Sequence, residues 1–300
     1  MTEHSTDLTQ HFVDKAMFVA EPIEDKKPKV YLLSATPDPL GSVAAMSMMY
    51  QGKVIRNLQD VTDEQRRYYW EQSFQTHLKA PWESIDFHFM IESVPRSFTH
   101  QIVRQRTAVY AQESMRFAVK SDLAESVMPG PSIGGTENDE VATTYWQTIV
   151  EIEDAYKKLI ELGVPAEDAR GILPHDTLTR LHYKTNLRNL AEHLGNRLCT
   201  QAQFHWRIVA AQIRQAIRNY LPPRFSDEHS DSAYSDHNEW QFREIAESNI
   251  FQPVCFSHGR CPFHASYDRG CTIRKRVDEG RFSEIEPKEW LADPQAGWVR

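Results

Sequence analysis

The sequence lacks the features that place a chain in a membrane, a disulfide scaffold or a nucleic-acid complex. No apolar run among its 300 residues approaches the ~18 needed to span a bilayer, so no membrane partner is expected. The opening residues, MTEHSTDLTQHF, have no basic region and no apolar core, so no secretory signal is read there. Cysteine is scarce, with only Cys199, Cys255, Cys261 and Cys271, too few for a disulfide framework in a chain this long. Positive charge is in deficit. With 34 Lys and Arg against 42 Asp and Glu, the formal charge of −8 opposes a general grip on nucleic acid. No internal repeat is visible. What is present, 40% hydrophobic and 25% charged residues, is ordinary globular composition at a length that suits one large domain or two small ones. A cytoplasmic protein is expected.

Taken in order, residues 1–28 read as a polar N-terminal arm. Val30–Ala35 has strand character and ends at Pro37-Asp38-Pro39. Ser42–Tyr50 reads as a buried helix, and Asp60 or Thr62 caps another that runs to about His77. Ile85–Glu92 alternates apolar with polar residues, as a half-buried strand does. Pro95 suits the first turn of a helix on which Ser97, Gln101, Arg104 and Ala108 share one face. Tyr110–Arg116 follows as a loop or irregular strand. Ser121 to about Asp139 reads as a linker, and Val141–Leu162 as a helix ended by Gly163. Pro165 opens a short helix containing Arg170, and His175–Tyr183 suits a strand. Thr185–Cys199 and Ala202–Tyr220 are helical, with Leu187, Leu190, Leu194 and Leu198 lining the core side of the first. Few strands, long helices and no strict βαβ alternation predict an α+β fold with a mixed or antiparallel sheet. The expected organisation is an arm at 1–28, a catalytic domain at 29–220 and a Cys/His-containing extension at 221–300.

The stretch richest in chemistry is Arg104–Phe117, which gathers three arginines, two glutamines, a glutamate and a serine around the apolar Ala108–Ala111. Arginine forks grip phosphate or carboxylate bidentately. Gln and Ser can read the edge of a base or a flavin ring. The local residues fit a nucleotide site, and they fit a solvated basic turn equally well.

Three separated segments carry a resemblance. Arg104-Gln105-Arg106, seven residues, then Ser114 resembles the signature of flavin-dependent thymidylate synthases, which is Arg-His-Arg, seven residues, Ser. Asp168-Ala169-Arg170-Gly171-Ile172-Leu173-Pro174 is similar to that family's Ala-Arg-x-x-Leu-Pro element. Asn186-Leu187-Arg188-Asn189-Leu190, Arg197, Ala202-Gln203 and Arg207 resemble its paired helices. Ala35–Pro39 and Pro81-Trp82-Glu83 are weaker echoes.

The resemblance implies an α+β homotetramer with active sites shared between chains. It implies FAD as cofactor, NADPH and methylenetetrahydrofolate as co-substrates, and dUMP as the substrate methylated. It carries Arg197 over as the residue that activates the uracil. Gln101, Arg104, Gln112, Glu113, Ser114, Arg116 and Arg170 would join Arg197 in holding dUMP. Arg104, Gln105, Arg106, Gln112, Asn186, Arg188 and Glu192 would hold FAD. Without the family, Asn186 reads first as a helix N-terminal cap. Three departures stand out, the first being Gln112, with Glu113 beside it, at a loop position that is usually Glu in the family. Gln105 replaces the signature histidine and cannot titrate near neutral pH. Glu192, with His193 beside it, occupies a position that is Asn or His in the family. Transfer of another one-carbon unit, such as hydroxymethyl, is the neighbouring reading, and a non-catalytic binding module on the same fold is a further one. In the tail, Cys255, His258, Cys261, His264 and Cys271 are thiolate and imidazole donors, four of which could close a tetrahedral zinc site. The alternative is a docked extension with reduced cysteines.

Overall fold

An antiparallel four-stranded sheet organises the chain: β1 (Lys29–Ala35), β2 (Asp86–Pro95), β3 (Val109–Gln112) and β4 (Leu178–Asn186), in spatial order β1-β2-β4-β3. The computed structural model describes residues 18–19, 26–116, 118–119, 122–134, 137–221, 238–263 and 271–291. Most of the expected N-terminal arm therefore lies outside the described residues, as do the polar stretch at 222–237 and His264. Where the arm is described, Phe18–Val19 pairs in parallel with Ala118–Val119.

The period-two pattern of β2 explains which face is covered. Phe87, Phe89 and Ile91 are fully buried on one side, while His88 and Met90 are half-buried on the other. Burying each such side chain is worth about 1.5–3 kcal/mol. The longer helices among the described residues, those of seven residues or more, are α1 (Pro39–Met49), α2 (Asp63–Gln75), α3 (Arg96–Ile102), α4 (Asp139–Glu161), α5 (Leu187–Arg197), α6 (Phe204–Arg218) and α7 (Glu239–Glu247). The fold is α+β, as expected. Leu187, Leu190, Leu194 and Leu198 are all buried, and so are Ile208, Val209, Ile213 and Ile217 of α6. Thr62 caps α2 in a capping box with Gln65. The C-terminal segments share this core: Phe242, Ile245, Phe251, Val277 and Trp290 belong to the same buried cluster as the β2 aromatics.

Asp38 explains the weak echo at Ala35–Pro39. It is 1% exposed, caps α1 through Gly41 N (2.9 Å) and takes both Nε and Nη2 of Arg66, at 3.1 and 2.7 Å. A Cβ at Gly41 would lie 2.3 Å from the Asp38 carboxylate, so glycine is required for that approach. The fork-to-carboxylate geometry is what makes a buried pair tolerable.

Four expectations need correction. The helix after Pro95 ends at Ile102 rather than running on to Ala108, because Tyr110 Oη donates to the carbonyls of Ile102 (2.7 Å) and Gln105 (3.0 Å) and turns the chain there. Pro95 itself closes β2 and stands before the helix, not in its first turn. Residues 122–128 are not a loose linker. Leu123 and Val127 are buried with Ile149, Glu153 accepts from the amides of Leu123 and Ala124, and Val127 bridges to Thr177. The strand expected at 175–183 is shifted to Leu178–Asn186, which delays the start of α5 to Leu187.

Candidate active site

A bulge aims the site. Between Ile91 and Val94 the register of β2 against β4 shifts, and Ser93 takes φ +56° with 2% exposure. The strand then passes directly into α3, whose N-terminal amides at Arg96 and Ser97 donate to the carbonyls of Thr177 (3.0 Å) and His175 (2.9 Å). This locks α3 beside the segment that carries Arg170.

Gln101, on α3, is the hub. Its Oε1 accepts from Arg197 Nη1 (3.2 Å) at the end of α5 and from Trp206 Nε1 (3.1 Å) on α6. Its Nε2 donates to Gln203 Oε1 (2.6 Å), and Gln203 Nε2 reaches Ser97 Oγ (3.2 Å) and His205 Nδ1 (2.9 Å). The Arg197 guanidinium lies over the Trp206 ring at 5.1 Å, and its Nε is buried without a hydrogen-bond partner. Burial and then the charge of Arg104 push its pKa down. His193 packs edge-on against Trp206 at 4.7 Å. Its Nε2 is also buried and unpartnered, and burial followed by Arg197 lowers its pKa to about 4.

Around this hub runs a band of like charge. Arg104 acts on both Arg197 and His100, Arg96 acts on His100, and Arg170 acts on Arg96. Burial lowers the pKa of Arg96 most, Arg170 lowers it further, and Glu113 opposes both. His100 and His175 pack edge to face at 5.3 Å. Such crowding of cations on one surface is costly unless an anion compensates it. Arg96, His100 and His175 were not among the residues singled out from the sequence. The helical spacing of Arg96, His100 and Arg104 was the available signal.

The expected residues fall into distinct environments. Gln101, Arg104, Arg170 and Arg197 belong to the hub and its band. Gln112 donates to Thr99 Oγ1 (2.9 Å), and Glu113 sits near Arg96. Ser114 and Arg116 are exposed, and Arg116 pairs with Glu167 at 2.8 Å. Arg106 is exposed on the turn. Gln105 has both amide ends committed within the chain: Tyr183 Oη donates to its Oε1 (2.6 Å), and its Nε2 donates to Asn189 O (2.6 Å). Asn186 caps α5 through Asn189 N (3.0 Å). Arg188 donates to Glu83 (2.5 Å) and Glu192 (3.3 Å), which explains the Glu83 echo. Arg188, Glu192 and Asn196 face a separate cleft of about 890 Å³ together with Phe74 and Trp82. Cys255, Cys261 and Cys271 approach one another, but among the described residues no three His, Cys, Asp or Glu side chains close a shell around a single ion.

A cationic band leading to a buried Arg–Gln–Trp cluster, on an α+β frame beside an aromatic-lined cleft, defines a nucleotide-handling enzyme. The family model described as "Thymidylate synthase complementing protein" matches residues 31–223. A flavin-dependent thymidylate synthase from Geobacter sulfurreducens is 32% identical over 202 residues, covering 66% of this chain and 86% of that protein. One from Pyrococcus horikoshii is 28% identical over 254 residues, covering 83% of this chain and 95% of that protein. The crystal structure of a UMP/dUMP methylase from Streptomyces cacaoi, bound with 5-Br dUMP, shares the fold at a TM-score of 0.52 and 18% identity, covering 67% of this chain and 90% of that one. The chain belongs to the thymidylate synthase complementing protein family, and it is an enzyme of the flavin-dependent thymidylate synthase class.

Proposed function

We propose that this enzyme methylates C5 of dUMP to give dTMP, with methylenetetrahydrofolate as carbon donor and NADPH-reduced FAD as hydride source. The observation that carries the reading is the Arg197–Gln101 contact at the end of a cationic band, within a chain matched by the family model over residues 31–223. Arg96, Arg104 and Arg170 supply charge-assisted donors for a phosphate dianion, with Ser114 and Arg116 at the exposed edge. Arg197, lying over the Trp206 ring at 5.1 Å with Nη1 on Gln101, keeps Nε and Nη2 for a pyrimidine carbonyl. As a fixed cation it stabilises negative charge developing on the base, which makes C5 the nucleophilic position. Its orphaned Nε suits an incoming acceptor.

The lining suits FAD: the cleft of about 890 Å³ brings Lys79, over the Trp82 ring at 4.4 Å, and Arg188, paired with Glu83 and Glu192, beside Phe74 and Trp82, cationic donors for a pyrophosphate next to aromatic walls for a heterocycle. Glu192 lines the same cleft, whereas Arg104 and Arg106 sit on the 103–108 turn and Asn186 caps α5, outside that lining. When bound, FAD supplies the hydride that completes the methyl group. Gln105 acts from behind, holding the 103–108 turn against α5 and β4. The active form is a homotetramer with active sites shared between chains, in the cytoplasm. The test is the absorption spectrum of the purified protein with and without dUMP, followed by product mass. Flavin bands that shift with dUMP, and a product heavier than dUMP by one methylene, support the reading. A colourless protein that binds neither sinks it, and a hydroxymethyl product replaces it with the neighbouring transferase.

A further inference from the structure

All four cysteines of the chain meet in one place. Cys199 lies just beyond α5, Cys255 in the short helix Val254–His258, Cys261 on the loop after it, and Cys271 just before the helix Arg274–Asp278. Together they line a single small cavity of about 20 Å³, closed by apolar residues such as Phe263 and Ile273. Cys255 is within electrostatic reach of the other three, and Cys199 is within reach of Cys261 and Cys271. None is joined in a disulfide. Arg274 borders the same cavity, with its Nε paired to Asp278 at 3.4 Å.

We propose that Cys199, Cys255, Cys261 and Cys271 form a four-thiolate metal centre that fastens the C-terminal segment to the helix bearing Arg197. Four thiols around one apolar space are the ligand set of zinc and of iron–sulfur clusters. The chain has no other cysteine, so its entire complement is spent at this point. Cys199 is the informative member, because it comes from the catalytic helix pair 56 positions before Cys255 and was no part of the tail pattern. Zinc at ~2.3 Å from each sulfur requires the sulfurs to lie about 3.8 Å apart. No such shell is closed among the described residues, so a single ion requires the sulfurs to draw together, and sulfide content distinguishes zinc from an iron–sulfur cluster. Insertion of zinc, or transfer of a preassembled iron–sulfur cluster, releases the thiol protons and changes no oxidation state at the protein. The consequence is mechanical. A Cβ added at Gly195 of α5 would lie 3.7 Å from Val254, so the two segments run close together there, and the centre would hold that approach two residues from Arg197.

The test is metal and acid-labile sulfide analysis of the full chain purified without oxygen, beside Cys255→Ser and Cys261→Ser. The site predicts a stoichiometric metal in the wild type that falls at least tenfold in each variant. Iron with equal sulfide identifies a cluster, and zinc near one per chain without sulfide identifies a single ion. Because wild-type content is read directly, the test survives a variant that fails to fold. A wild-type protein that carries no metal, and takes up neither zinc nor iron with sulfide on reconstitution, overturns the proposal, as does full metal retention in both variants. None of these outcomes depends on thymidylate synthase activity.

Discussion

Arg197 Nη1 donates to Gln101 Oε1 at 3.2 Å, and the same oxygen accepts from Trp206 Nε1 at 3.1 Å. One amide oxygen therefore fixes the guanidinium and the ring on which it lies. Gln101→Ala is expected to keep flavin content while lowering kcat/KM for dUMP by roughly 10–100-fold, because a misplacement of about 1 Å at a reacting centre has that scale of effect. Steady-state kinetics check this, and an unchanged kcat/KM contradicts the positioning role.

Arg96 and Arg170 interact unfavourably across the band, and an anion would relieve that repulsion. Arg96→Ala and Arg170→Ala are each expected to raise KM for dUMP at least tenfold, in line with about 1.5–3 kcal/mol for a charge-assisted hydrogen bond. Turnover of deoxyuridine, which has no phosphate, should change little. Equal losses on both substrates would place these arginines elsewhere.

Gln105 replaces the family's signature histidine and joins Tyr183 to Asn189. Tyr183 is 1% exposed and also has Thr185 as a hydrogen-bond partner, so Gln105→Ala removes one of two partners of a buried hydroxyl, a loss of about 1 kcal/mol. Thermal unfolding should show it as a lowered Tm. Gln105→His can keep one of the two contacts and should fall between. A Tm unchanged in Gln105→Ala would remove the bridging role.

The architecture was legible where the residue pattern is local. The leucine stripe of α5, the alternation of β2 and the Thr62 cap each follow from neighbours in sequence. The early end of α3 was not legible, because Tyr110 and the bridge from Gln105 to Asn189, 84 residues apart, decide it. The band was half legible: Arg104, Arg170 and Arg197 stood out, while Arg96 became a partner only once β2 and its bulge delivered it beside Arg170. Gln105 shows the limit of a motif, since its position is shared with the family but its side chain is occupied within the chain. Cys199 showed nothing in sequence that tied it to Cys255, because the fold alone brings them together.

His193 and His205 both have pKa values lowered to about 4, chiefly by burial. A histidine depressed in the folded state binds fewer protons there than when unfolded. Its stabilising contribution is full above ~6.5, is lost as pH falls toward about 4, and is flat below. Each accounts for up to about 3 kcal/mol of acid destabilisation by that linkage. His193→Gln should therefore narrow the Tm difference between neutral and acid pH. An undiminished difference would show that His193 is not buried as a neutral ring.

The central claim is that Arg197 activates a uracil at C5 in a flavin-dependent methylation. Its most direct test is release of tritium from dUMP labelled at C5, with NADPH and methylenetetrahydrofolate supplied, in the wild type and in Arg197→Ala. The account predicts release by the wild type and a loss of at least about 10²–10³-fold in the variant with its flavin retained, the scale of removing one transition-state donor. Equal release by both proteins, or none by a flavin-loaded wild type, would contradict it.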